Sequence, residues 1–153
     1  MPPAGARPLE RRIGAAIAED LQTKMVFVSG PRQSGKTTLA EQFLRSERGA
    51  NFNWDIAAHR RAVRQQDLPE SARLWVFDEL HKLRGWRSWL KGIYDLHHAN
   101  HAILITGSAR LDIYRRGGDS LQGRYFLHRL HPFTLSELCG VRVVDEIGRD
   151  QAQ

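Results

Sequence analysis

Met25-Val-Phe-Val-Ser-Gly30-Pro-Arg-Gln-Ser-Gly-Lys-Thr37 is the stretch on which the fold turns. Four apolar residues end at Ser29-Gly30-Pro31, the pattern of a short buried strand closed by a turn. From Lys36 to Arg45 the apolar residues Leu39, Ala40, Phe43 and Leu44 recur at helical spacing. Between strand and helix, Gly30 to Thr37 satisfies G-x-x-x-x-G-K-[ST], and this context gives that pattern its meaning. Gly30 and Gly35 let the backbone wrap without a Cβ, so that successive N–H groups and the helix N-terminus face one anion. The expected phosphate-binding residues are therefore Gly30, Pro31, Arg32, Gln33, Ser34, Gly35, Lys36, Thr37 and Thr38. Lys36 places a point charge on the β- and γ-phosphates, and the Thr37 hydroxyl is suited to Mg²⁺.

Outward from this loop, Leu9 to Leu21 carries a helical stripe, which predicts an N-terminal helix within 7–22. Phe52 to Trp54 predicts a strand and Ala57 to Gln66 a polar, basic helix. Leu74 to Phe77 and Ala102 to Thr106 predict buried strands. Between them, Trp86, Trp89, Leu90, Ile93 and Leu96 form a helical face. A short helix around Leu111 to Arg115 and a last strand, Tyr125 to Leu130, complete the pattern, and a further helix could begin at Leu135. Near-continuously apolar strands alternating with helices predict a parallel sheet covered on both faces, an α/β three-layer αβα sandwich.

Composition agrees. The chain has 153 residues, 41% hydrophobic and 26% charged, enough for one domain with its own core. No apolar run approaches the ~20 residues of a membrane span, and the N-terminus has no apolar signal region. The lone Cys139 cannot form an internal disulfide, which fits a cytoplasmic location, and nothing near it in sequence activates its thiol. The net charge is +6, yet the arginines are scattered without a run of five. Such scatter predicts a solubility charge plus a phosphate pocket more than a nucleic-acid patch.

Asp78-Glu79 closes the strand Leu74 to Phe77, where a carboxylate at a strand's C-terminal end stands near the phosphate loop. Asp78 is the expected Mg²⁺ partner, and Glu79 is placed to orient and deprotonate an attacking water. Thr106-Gly107-Ser108 ends the next strand. Thr106 reads equally as a simple strand end, whereas Ser108 reads as a γ-phosphate or water contact. Arg124 precedes the last strand and reads equally as a solvated side chain or as a cation given to a neighbour's γ-phosphate.

Five ordered segments, GPRQSGKTTLA, FDELHK, ITGSARLD, SLQGRYF and LHPFTLSEL, resemble the prokaryotic AAA-type P-loop ATPases from about Leu9 to Leu138. The resemblance implies a five-stranded core, with Gly30 to Thr37 as Walker A and Asp78-Glu79 as Walker B. It implies Ser108 as the first sensor and Arg124 at the arginine-finger position, hence a homo-oligomer, and it implies ATP, since no guanine-reading N-K-x-D follows. It also implies that residues 1–138 form the ATPase core and that 139–153 begin a lid followed by a further domain. A chain stopping there would need the lid or a partner to turn ATP over. The alternative is a nucleotide-dependent module that recruits nucleic acid or protein without hydrolysis.

Other signals point elsewhere. Asp78-Glu79-Leu80-His81 matches the D-E-x-H box of a helicase class that uses two tandem ATPase-like domains, and this length supplies one. Asp95, His97, His98 and His101 could suggest a metal site but sit at a predicted helix end, where histidine suits the dipole. Trp86 and Trp89 share one helical face and predict packing.

Overall fold

The computed structural model describes residues 13–31, 34–108 and 121–131. In chain order it contains α1 (Ile13–Asp20), β1 (Met25–Ser29), α2 (Lys36–Ser46), β2 (Gly49–Asn53) and α3 (Ala57–Gln65). There follow β3 (Leu74–Asp78), a 3₁₀ turn (Leu80–Lys82), α4 (Trp86–His97), β4 (Ala102–Gly107) and β5 (Tyr125–Arg129). The five strands form one sheet in the order β2-β3-β4-β1-β5, and every pairing is parallel.

Parallel neighbours require crossovers, and the helices that make them cover both faces. One face carries Phe27, Phe52, Trp75, Phe77, Ile103 and Ile105, packed against Val63 of α3 and Trp86, Leu90 and Ile93 of α4. The other carries Val26, Val28, Leu74, Val76 and Leu104 against Ile17 of α1 and Leu39, Ala40 and Phe43 of α2. Alternate residues of each strand thus feed different cores, which is why the central strands are apolar without alternation. The three-layer α/β architecture follows directly.

Boundaries differ where pairing overrides local preference. β2 begins at Gly49, three residues before the apolar signal, because Gly49 to Asn53 pairs in register with Leu74 to Asp78. Trp54 lies past its end. The expected helices at Leu111–Arg115 and from Leu135, and Cys139, fall outside the described residues. The histidines near the end of α4 are absorbed by packing. His101 stacks on Trp75 at 4.0 Å and its Nδ1 bonds the Ala72 carbonyl at 2.7 Å, while His98 Nδ1 bonds the Tyr94 carbonyl at 2.8 Å. Trp86 and Trp89 lie against Phe27 and Phe77, as core residues.

Candidate phosphate-binding site

Register places the C-terminal ends of three strands side by side. Ser29 of β1 pairs with Gly107 of β4, and Thr106 of β4 pairs with Asp78 of β3. β4 therefore stands between the strand that feeds the glycine loop and the strand that ends in the carboxylates. Gly30, Ser34 to Thr38, Asp78, Glu79 and Ser108 all lie at or just beyond this edge; Arg32 and Gln33 fall outside the described residues.

The loop's shape comes from its glycines and one buried hydroxyl. A Cβ at Gly30 would collide with the backbone carbonyl of Leu130 and stand 2.9 Å from Ser34 Oγ. Gly30 is thus demanded by the neighbouring end of β5 as well as by the loop. Gly35 has φ 90°, in the left-handed region that favours glycine, and it caps α2 with no side-chain hydrogen bond. The first amides of a helix have no intrahelical acceptor, so those of α2 are open to an anion. Ser34 is buried, and its Oγ has no hydrogen-bond partner among the described residues. An unsatisfied buried hydroxyl beside uncapped amides is a donor set that a phosphate group fits.

Lys36 opens α2 and folds back over the loop. Its Nζ donates to the carbonyls of Gly30 at 2.7 Å and Pro31 at 2.8 Å. Burial pushes its pKa below the ordinary lysine value, against the opposing pull of Glu79 and Asp78. Asp78 is shifted the other way. Burial raises its pKa first, the Thr106 hydrogen bond lowers it, and the Glu79 carboxylate raises it again. Lys36 and Asp78 are therefore close enough to feel one another while both are partly withdrawn from water.

Thr106 is the residue that the sequence left undecided. It is buried, and its Oγ1 donates to Asp78 Oδ1 at 2.9 Å. Its own strand position, opposite Asp78 in the parallel ladder, was the signal that could have found it. Glu79 adopts φ 59° and its amide donates to the Thr106 carbonyl at 3.0 Å, so the chain turns sharply out of β3. Its carboxylate lies 3.5 Å from both His81 Nε2 and Lys82 Nζ. Lys82 also holds Asp55 Oδ1 at 2.6 Å, and the Trp54 amide donates to the Asp78 carbonyl. Asn53, Trp54 and Asp55, a segment that also resembles the end of the second strand in AAA-type ATPases, thereby tie the end of β2 into the carboxylate edge, a role the sequence alone did not assign.

Arg124 is not brought to this group. It precedes β5, at the opposite edge of a sheet whose strands of five or six residues span about 16–20 Å. There its Nε donates to Asp95 Oδ1 at 2.9 Å. The pairing lowers the pKa of Asp95 and raises that of Arg124.

A family model described as AAA domain matches residues 22–139. No curated protein matches the chain. Among solved structures, the fold is similar to Bacteroides Pif1 bound to ssDNA, at 14% identity and a TM-score of 0.53, over 82% of this chain and 42% of that one. It is equally similar to unliganded Pif1 from Bacteroides sp, at 15% identity and a TM-score of 0.52, over 81% and 42%. The chain thus spans less than half the length of these structures, and at such identity the likeness is one of fold. Among the described residues no helix is long and apolar enough to cross a membrane.

Proposed function

The chain belongs to the AAA domain family of nucleotide-binding P-loop NTPases, and from that premise we propose that it binds Mg·ATP and hydrolyses it to ADP and phosphate. One observation carries this reading: a lysine, two carboxylates and a buried threonine meet at one sheet edge beside an uncapped helix N-terminus. Gly30 to Thr38 hold the phosphates through backbone amides, the Ser34 hydroxyl and the Lys36 ammonium. Thr37 and Asp78 would hold Mg²⁺, and Thr106 fixes the Asp78 carboxylate through its hydrogen bond. When bound, the cation offsets charge developing on the transferred phosphoryl group. Glu79 orients the attacking water and accepts its proton, and Ser108 contacts the γ-phosphate side.

The expected nucleotide is ATP, and a cytoplasmic location suits the lone Cys139. Residues 1–138 serve as the ATPase core and 139–153 lead toward a lid. Since Arg124 stands at the far edge of its own sheet, its catalytic use requires a second copy, whose site it would enter as a cation. Phosphate release from ATP, followed with and without Mg²⁺ and with GTP alongside, tests the proposal. Release that needs Mg²⁺ and favours ATP is expected. Saturable nucleotide binding without any release would instead assign the chain to a non-hydrolysing binding module.

A further inference from the structure

Charge is divided unequally between the two helical layers. α3 carries Arg60, Arg61 and Arg64, and residues 80–91 add two lysines and two arginines, with no Asp or Glu in either segment. Both belong to the layer over the Phe27, Phe52 and Phe77 face of the sheet. In the opposite layer, α1 and α2 carry Glu19, Asp20 and Glu41 against Lys36 and Arg45, and Lys36 is committed to the glycine loop.

The two basic segments meet at the end of β2. Arg60 donates to the Trp54 carbonyl at 3.0 Å, the Arg64 guanidinium lies over the Trp54 ring at 5.1 Å, and Lys82 reaches the adjacent Asp55. Arg61, Arg64, Lys82 and Arg84 are exposed. Asp55 and Glu79, both within reach of Lys82, are the acids at this junction, whereas Asp67 lies beyond the end of α3 and Asp95 in the last turn of α4. Arginines scattered in the sequence are thus gathered by the fold onto one helical layer. α3, nine residues long, runs about 13 Å, enough to follow several backbone phosphates.

We propose that this surface, Arg60 to Arg64 with Lys82 to Arg87, docks the sugar–phosphate backbone of duplex DNA without reading its sequence. Guanidinium forks match phosphate oxygens, and each phosphate neutralised releases counterions. A single strand gains its hold from bases stacking on open aromatic rings. Here Trp54 and Trp86 are 9% and 7% exposed and lie under Arg64 and Arg87. The surface offers charge without a stacking platform, which selects the duplex. The docking uses no residue of the glycine loop and neither Asp78 nor Glu79, and the variants that test it leave in place Lys82, which lies 3.5 Å from Glu79.

Anisotropy of short labelled duplexes of unrelated sequence, titrated at several salt concentrations, tests the proposal. Binding should be equal across sequences and log K should fall linearly with log salt. The triple variant Arg61→Ala/Arg64→Ala/Arg84→Ala should flatten the slope by about 2.7, at about 0.9 per cation removed. The variant Arg45→Ala/Arg48→Ala/Arg73→Ala loses the same net charge elsewhere and should keep the wild-type slope. If the triple variant fails to fold by circular dichroism, Arg61→Ala/Arg84→Ala spares the Trp54 contact and should flatten the slope by about 1.8. Equal weakening in patch and control variants, an unchanged slope in the patch variants, or tighter binding of a single strand or of polyglutamate than of duplex would each overturn it.

Discussion

The two edges of the sheet hold charged groups in opposite condition. At the C-terminal edge, burial lowers the pKa of Lys36 and raises that of Asp78, so the fold works against the charges it gathers there. At the N-terminal edge, Arg124 and Asp95 each favour the other's charge, and His101 and Trp75 Nε1 find backbone carbonyls at 2.7 and 3.1 Å. One edge is satisfied within the chain. The other leaves Ser34 Oγ without a partner among the described residues and Lys36 bonded only to its own loop's carbonyls. Polar groups that a fold concentrates but does not satisfy mark where it expects something from outside.

Substitutions that touch only one edge test this contrast. The largest effect is expected at Glu79. Glu79→Gln should lose on the order of 10²–10⁴ in turnover while retaining nucleotide affinity, because proton transfer is removed and the glycine loop is left intact. Single-turnover phosphate release beside equilibrium binding measures both. Retained turnover would take Glu79 out of the base role.

Thr106→Val keeps the shape of the side chain and removes its bond to the half-buried Asp78 carboxylate. A cost of about 1–3 kcal/mol is expected, read from denaturant melts. Its loss also removes an influence that lowers the pKa of Asp78. Activity of the variant should therefore need more Mg²⁺ at a given pH, with part of the deficit recovered at higher pH.

Asp78→Asn should act in the opposite sense on stability. The folded chain favours the protonated form of Asp78, so stability linked to this group is complete below the ordinary aspartate value of 3.8 and is lost as pH rises through the raised value. The variant should melt above the wild type at neutral pH, with the gain shrinking as pH falls toward 3.8, while its Mg²⁺-dependent nucleotide binding weakens. A variant that melts lower at neutral pH would show that burial does not disfavour the Asp78 charge.

The smallest effect belongs to the satisfied edge. Arg124→Ala should leave the melting temperature nearly unchanged, since an exposed ion pair is screened by solvent and salt. It should also leave nucleotide affinity unchanged. Specific activity should rise with protein concentration in the wild type and stay flat in the variant if Arg124 serves a second copy.

How much was legible in the sequence follows the same division. The glycine loop, Asp78 and the central strands were readable because their signals are local: glycines at fixed spacing, an apolar run, a carboxylate at its end. The limits of β2 were not, because Gly49 and Ala50 have no strand preference and extend only through pairing with Leu74 and Trp75. Thr106 stayed undecided because its hydrogen bond depends on strand register, which brings together residues 28 positions apart. The basic surface was invisible for a similar reason. Arg60, Arg64 and Lys82 become neighbours only when the end of β2 carries Trp54 and Asp55 between them.

Titration calorimetry of the chain with Mg·ATPγS, beside Lys36→Ala, bears most directly on the claim that the unsatisfied edge is a nucleotide site. Saturable binding by the wild type is expected, weakened on the order of 10²-fold or more in the variant as a charge-assisted contact is lost. Equal binding by both chains, or none by the wild type, would contradict it.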